Sequence, residues 1–323
     1  MDLTRRQVLL GAGGAGALLA GGRAVDNVLL GYGVVTGTNL RRQDLDPLVL
    51  ADLRPRDGPL GRVADTDIHL EGDALRLVTT DGEDRTVPLD TDLPDASPAV
   101  RDAVAGVARD LRDLDRGAAT LEYHDYPAFF ERLRRADARP LTVGALRGPR
   151  RGDPAAVEAV AEVDPARTPE LAAALAAGLR EHTHYDLPRY LAGSVEDNVL
   201  FGLGDLREPF ESPTDFEAIA DDADSGLFCY ELVYRSIEAF HAVAPTSQVV
   251  PVLAGYVRDR RHKHAYTALA GAIREAGELV MPVTFLDYTH ATLYDDLGVR
   301  WLLGDGLDAY TERHRATSLH WGW

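Results

Sequence analysis

The feature that most constrains the fold is the amphipathic segment that directly follows the only cysteine of the chain, Cys229. Apolar residues recur there at three- and four-residue spacing, which forms one apolar helix face; they are Leu232, Val233, Ile237 and Phe240. The spacing predicts a helix over residues 230–241, with the cysteine at or near its N-terminus. The partial positive charge of a helix N-terminus favours the thiolate, the nucleophilic form of a thiol. A buried, unreactive cysteine in the same helix is the alternative.

An imidazole and a carboxylate follow this cysteine, each at the edge of a predicted strand. Residues 249–257 form a short apolar strand candidate, His264 comes after it, and Asp287 ends the apolar run 283–286. A catalytic thiol needs a neighbouring base, and that base needs a third group to orient it. The base has a rival in His262, two residues earlier in an arginine-rich stretch, and His290 is a second rival if the register differs.

Four segments occur in a fixed order in the second half of the chain: Cys229, Gly255-Tyr256, His264-Ala265-Tyr266 and Asp287-Tyr288-Thr289. Together they resemble the core of the transglutaminase-like superfamily. The resemblance implies an α+β fold with a transglutaminase-like or papain-like core, in which the nucleophile helix packs on an antiparallel sheet. A smaller α+β region precedes that core.

The same resemblance implies an activity and a site. Cys229 would be the nucleophile, His264 the base and Asp287 the orienting carboxylate of a peptidase, amidase or acyl-transfer enzyme that acts on a peptide or protein. An enzyme of this kind is expected to require no cofactor and no metal. The family also places an oxyanion donor before the nucleophile, often a glutamine, and residues 218–226 contain none. The backbone N–H of Cys229 is the remaining candidate, assisted by Tyr185 or Tyr190.

Two other functions remain open at this stage. One is a non-catalytic domain of the same fold that binds peptide or glycan at the cell surface. The other is a zinc-dependent hydrolase, because two histidine pairs occur at i, i+2 spacing and zinc is bound by imidazole, thiolate and carboxylate. The pairs are His182 with His184 and His262 with His264, joined by Cys229 or Asp287.

The charge of the chain is strongly acidic. Its 323 residues include 52 acidic and 34 basic ones, which gives a net charge of −18, and Lys263 is the only lysine. This composition predicts a halophilic protein, since high salt screens the repulsion among surface carboxylates. Nucleic-acid binding is disfavoured, because such proteins concentrate positive charge. A single cysteine excludes an intramolecular disulfide.

The first residues predict export. Arg5 and Arg6 precede a short run of glycine, alanine and leucine that has no acidic residue up to Gly22. This arrangement resembles a twin-arginine signal and predicts an exported, extracellular or cell-surface protein. Left uncleaved, the segment would associate the N-terminus with a membrane. We divide the chain into the signal at 1–24, an N-terminal α+β region at 25–147, a linker at 148–154 and the transglutaminase-like domain at 155–323.

Local patterns predict several other elements. Asp81-Gly82 between two apolar runs predicts a β-hairpin over residues 75–89. Ser97-Pro98 predicts the start of a helix, and the apolar run 141–146 is a strand candidate. The tail that ends in Trp321-Gly322-Trp323 is expected to pack against its own domain.

Overall fold

The computed structural model describes residues 39–89, 91–149, 152–198, 213–221, 225–261, 263–296, 306–311 and 314–322. The fold is mixed α+β and its sheets are largely antiparallel. The predicted signal at residues 1–24 lies outside the described residues, as do His262 and Trp323. Within the described ranges, no helix has the length and apolar character needed to cross a bilayer.

The elements alternate between helix and strand along most of the chain. The strands are β1 (Gly58–Val63), β2 (Thr66–Glu71), β3 (Ala74–Thr79), β4 (Asp84–Pro88), β5 (Thr120–Tyr123), β6 (Asp137–Ala138), β7 (Thr183–Tyr185), β8 (Ser225–Leu227), β9 (Leu253–Asp259), β10 (His264–Ala270), β11 (Ile273–Glu275), β12 (Glu278–Leu286) and β13 (Ser318–His320). The helices are α1 (Asp46–Leu50), α2 (Pro98–Asp115), α3 (Tyr126–Arg134), α4 (Pro140–Arg147), α5 (Pro154–Ala161), α6 (Thr168–His182), α7 (Leu187–Asn198), α8 (Phe216–Asp221), α9 (Cys229–His241) and α10 (Tyr288–Asp296).

The central sheet carries the candidate site. Its strands lie in the order β13-β9-β10-β12-β11-β6, and β5 pairs with β12 in parallel. Every residue of β10 is buried, because the sheet is covered on both faces. Successive residues of a strand point to opposite faces, and β10 follows this rule. Leu269 packs with α6 and α9 on one face, whereas Ala268 packs with α1 and the C-terminal segment on the other.

The helix predicted after Cys229 is present as α9 and lies against this sheet. Leu232, Val233, Ile237 and Phe240 are all buried, as the apolar stripe requires. Ser236 of α9 also hydrogen-bonds Thr267 of β10 through their hydroxyl groups. This contact and the apolar stripe fix the position of α9 on the strand that begins with His264.

The predicted hairpin is confirmed. Strands β3 and β4 pair antiparallel around Asp81-Gly82, and Gly82 has φ +91°, a conformation that glycine adopts without strain. Strands β1–β4 form a separate four-stranded sheet, with α2 packed on its buried face. Helix α2 begins after Ser97 as predicted, and the Ser97 side chain accepts the N–H of Val100.

The strand predicted over residues 141–146 is wrong, since these residues form α4. Pro140 occupies the first helical turn, where its fixed φ and missing N–H cost nothing. The run is buried on all sides, so it lacks the polar face that reveals helical periodicity. Gly144 lets α4 approach β1 closely, because a Cβ there would lie 2.5 Å from the carbonyl oxygen of Leu60.

The predicted N-terminal region and the predicted C-terminal domain both contribute strands to the central sheet. Strands β5 and β6 come from the predicted N-terminal region, and they pair with β12 and β11 of the central sheet. In the predicted linker, Asp153 caps α5 by accepting the N–H of Ala156. The C-terminal tail packs on its own chain as expected: Trp321 is 1% exposed and donates its indole N–H to the carbonyl of Val49 at 2.9 Å.

Candidate active site

Cys229 is the first residue of α9, and Phe228 is the N-cap. The thiol is reduced and half-buried. Strand β8 ends at Leu227, directly before this helix, and pairs in parallel with β7. The strand-to-helix turn therefore places the sulfur at the positive end of the helix dipole, at an accessible edge of the core.

A buried ion pair holds the start of this helix. The carboxylate of Glu231 accepts the backbone N–H of Phe228 at 2.6 Å and also pairs with Arg189 of α7. The Arg189 guanidinium lies 4.0 Å from the centre of the Phe228 ring, which adds a cation–π contact. Asp186 accepts the backbone N–H of Arg189 at 2.8 Å. No local sequence pattern indicates this network, because Arg189 and Glu231 are 42 residues apart.

The three residues proposed as a triad come together. His264 opens β10, and Asp287 lies immediately after β12, the neighbouring antiparallel strand. The Nε2 atom of His264 is 2.8 Å from Oδ2 of Asp287. Cys229 lies close enough to His264 to raise the pKa of that imidazole. The chain of contacts thus runs from thiol to imidazole to carboxylate.

Backbone groups fix the Asp287 carboxylate. Its Oδ1 atom accepts the N–H groups of Thr289 at 2.9 Å and His290 at 3.2 Å, so Asp287 caps α10. Its own N–H donates to the carbonyl of Leu307 at 2.7 Å. With Oδ1 engaged, Oδ2 is the atom that faces the imidazoles.

Two further histidines face the same oxygen. Nε2 of His314 is 2.6 Å from Oδ2 of Asp287, and Nε2 of His290 is 3.5 Å from it. All three histidines and Asp287 are buried. The sequence offered His290 only as a substitute base and gave no sign of His314, which lies 27 residues beyond Asp287 outside any helix or strand.

The charges at this centre are set by competition between burial and pairing. Burial opposes a charged His264, but the negative charge of Asp287 and the hydrogen bonds to Asp287 and Cys229 outweigh it and raise the His264 pKa to about 10. Burial likewise opposes a charged Asp287, yet His264, His290 and His314 together hold its pKa well below 3.8. Burial lowers the pKa of His314. Pairing with Asp287 therefore favours the cationic form of His264.

Aromatic side chains surround the thiol. Tyr185 is the last residue of β7 and pairs in register with Leu227, and its ring lies 6.1 Å from that of Phe228. Burial and the charge of Cys229 raise the Tyr185 pKa well above 10. The same two causes raise the pKa of Tyr256 to about 12. Both phenols therefore remain protonated hydrogen-bond donors at neutral pH.

The structure groups potential metal ligands differently from the histidine pairs of the sequence. Among the described residues, the side chains with suitable geometry are His264, Asp287, His290 and His314, whose ligand atoms all lie within 4.8 Å of one another. Neither His182 nor His184 belongs to this group. A cavity of about 340 Å³ lies elsewhere, lined in part by Arg180, Leu307 and Asp308, and it does not include Cys229.

Comparisons of this chain with protein-family models, curated proteins and solved structures give no match.

Proposed function

We propose that this protein is a thiol-dependent acyl-transfer enzyme in which Cys229, His264 and Asp287 act as nucleophile, base and orienting carboxylate. One observation carries the proposal. Cys229 lies beside His264 and raises its pKa, and Nε2 of His264 is 2.8 Å from a buried carboxylate. A nucleophile, a base and an orienter in contact, with the nucleophile at a helix start, form the arrangement that thiol catalysis requires.

In this proposal the two nitrogens of His264 have different tasks. Nε2 faces Asp287, so Nδ1 is the nitrogen that remains for the thiol. The carboxylate fixes the ring and stabilises its cationic form, and Nδ1 exchanges the proton with sulfur. Asp287 itself keeps its orientation through the two backbone N–H groups on Oδ1.

The reaction would proceed in two steps. The sulfur of Cys229 attacks a carboxamide or peptide carbonyl, the C–N bond breaks, and His264 gives its proton to the departing amine. A thioester between Cys229 and the acyl group remains. Water or a second amine then attacks the thioester and returns the thiol, giving hydrolysis or transfer respectively.

The arrangement of elements supports a transglutaminase-like core as part of this proposal. The cysteine opens a helix that packs on a sheet, and the histidine and aspartate come from adjacent antiparallel strands. The partly exposed aromatic surface near Cys229, which includes Tyr230 at 40% exposure, suits a peptide or protein substrate. A non-catalytic domain of the same fold is the rival, and it has no need for a thiol next to an oriented base.

Acylation of the full chain by p-nitrophenyl acetate tests the proposal. We expect release of nitrophenol and an acetyl adduct on Cys229, the only cysteine of the chain, which peptide mass mapping locates. Cys229→Ala should abolish the adduct. His264→Ala should slow acylation by about 10²–10⁴-fold, the range for loss of a general base. His320→Ala, which removes an exposed histidine of β13, is the matched control and should not change the rate. Turnover that survives in Cys229→Ala would refute the mechanism.

We further propose that the protein is exported through the twin-arginine route and works in high salt. The support is the Arg5-Arg6 signal pattern and the net charge of −18. Replacement of both arginines by lysine should retain the protein in the cytoplasm of its host. Unaltered export of that variant would rule the route out.

A further inference from the structure

The thiol mechanism leaves two buried histidines without a task. One imidazole suffices to connect Cys229 with Asp287, yet His290 and His314 also direct Nε2 at Oδ2 of the same carboxylate. The exposed fractions of His290 and His314 are 3% and 0%. Removing polar groups from water costs free energy unless they find strong partners. Three imidazoles directed at one carboxylate oxygen are also a set of ligands that a metal ion can use.

The donor set fits a transition-metal ion. Three imidazole nitrogens and one carboxylate oxygen are ligands that Zn²⁺ and its neighbours prefer. These four atoms lie within 4.8 Å of one another, and they come from β10, from the start of α10 and from the segment at His314. Bonds of about 2.0–2.1 Å in a tetrahedral site separate neighbouring ligand atoms by about 3.3 Å. The Oδ2–Nε2 separations are 2.6, 2.8 and 3.5 Å and the ligand atoms lie within 4.8 Å of one another, so binding requires these separations to change by up to about 1.5 Å.

The carboxylate is already oriented for such a role. The N–H groups of Thr289 and His290 hold Oδ1, which leaves Oδ2 directed at the three imidazoles. Metal ligands are commonly fixed in this way by outer hydrogen bonds. His264 is the most exposed ligand at 7%, and it lies beside the half-buried Cys229, so an ion would enter from the thiol side.

We propose that His264, Asp287, His290 and His314 form a binding site for one divalent transition-metal ion of the zinc class, and that this ion competes with Cys229 for the use of His264. A neutral imidazole that binds metal through Nε2 carries its proton on Nδ1. Such a ring donates to Cys229 but cannot accept the thiol proton. The ion thus switches off the nucleophile. Metal binding is independent of the proposed function, whereas the switch rests on it.

Titration of the chelator-treated full chain with Zn²⁺ and Co²⁺ tests the binding. We expect one ion per chain by elemental analysis, and visible absorption bands of four-coordinate Co²⁺ in the wild type. His290→Gln and His314→Gln should each weaken Zn²⁺ binding by about 10–100-fold or more, the loss typical of removing support at a metal site. His320→Gln, an exposed histidine outside the cluster, is the matched control and should bind like the wild type.

The outcomes separate the two proposals. Cys229→Ser should still bind one Zn²⁺ ion, because the cysteine is not among the four ligands. In the wild type, Zn²⁺ should slow alkylation of Cys229 by iodoacetamide at least tenfold, and a chelator should restore the rate. Absence of stoichiometric binding, or equal affinity in the wild type and both glutamine variants, overturns the metal site and leaves the thiol mechanism standing. Stoichiometric binding with unchanged alkylation overturns the competition. Circular dichroism checks that each variant is folded. If a variant is unfolded, the Co²⁺ spectrum of the wild type tests the metal site without it.

Discussion

Oε2 of Glu231 accepts the backbone N–H of Phe228 at 2.6 Å, one residue before the candidate nucleophile. A capping box consists of two reciprocal hydrogen bonds. Phenylalanine has no side-chain acceptor, so only the bond from the N–H of Phe228 to the carboxylate of Glu231 is made here. The same carboxylate neutralises the buried Arg189. One side chain thus determines both the start of α9 and the position of α7.

Glu231→Gln should destabilise the protein markedly. The amide keeps an acceptor for the N–H of Phe228 but removes the charge that compensates Arg189, and breaking a buried ion pair costs about 3–5 kcal/mol. Asp186, 3.2 Å from Nε of Arg189, retains part of the compensation, so we expect the lower end of this range. Denaturant unfolding at neutral pH measures the change.

The matched control for this prediction lies on the same helix. Glu238 pairs with Arg235 at 2.9 Å, with side chains 27% and 13% exposed. Because solvent screens such a pair, Glu238→Gln should cost less than about 1 kcal/mol. Similar losses for the two variants would show that the Glu231 ion pair has no special role.

Tyr185→Phe should lower the acylation rate without loss of stability. The phenol stays protonated beside Cys229, and the register with Leu227 places it near the turn where an oxyanion would form. Removing one oxyanion donor costs about 10²–10³-fold in kcat. Tyr123→Phe removes a different hydroxyl, which donates to Asp46 at 2.9 Å, and should leave acylation unchanged. Equal rates for wild type and Tyr185→Phe would exclude this donor.

The sequence predicted the parts of the site that local patterns encode. The apolar stripe after Cys229 has helical period, so α9 could be predicted, and the order of Cys229, His264 and Asp287 suggested their convergence. Residues that are distant in sequence and meet only in the folded structure leave no local sequence pattern. His314 has no surrounding periodicity, and Arg189 pairs with Glu231 across 42 residues. For residues 141–146 a local pattern led to the wrong element. Full burial removes the polar positions that distinguish a helix from a strand.

Trp321→Ala should cost about 3–5 kcal/mol, the usual range for truncating a buried tryptophan. Its ring packs against Gly255 of β9, where an added Cβ would lie 2.6 Å from Cε3 of the indole. Gly255→Ala should therefore also be destabilising, through overpacking rather than through a cavity. Denaturant unfolding of both variants measures these losses. Combining the two substitutions should cost less than their sum, because alanine at 321 makes room for the new methyl group.

Asp308→Asn should stabilise the protein at neutral pH, and this stabilisation should disappear in acid. Burial raises the pKa of Asp308 above 3.8, and the nearby charge of Asp125 adds to this. Ionising this carboxyl therefore costs more in the folded than in the unfolded chain, and stability is lost as the pH rises through the raised pKa. Asparagine avoids that cost and keeps an oxygen for the N–H groups of Tyr310 and Thr311, which now lie 3.2 and 3.3 Å from Oδ1.

The Tm difference between Asp308→Asn and wild type should thus be positive at neutral pH and disappear as the pH falls below 3.8. Asp81→Asn should behave in the opposite sense, because the hydrogen bond from Thr79 lowers the pKa of Asp81. A carboxylate of that kind stabilises the fold above its unfolded pKa, so its loss should lower Tm at neutral pH and have no effect in acid. Thermal unfolding of the three proteins from neutral pH into the acid range measures both differences. A Tm difference for Asp308→Asn that stays constant across the range would show that burial of this charge is not its cause.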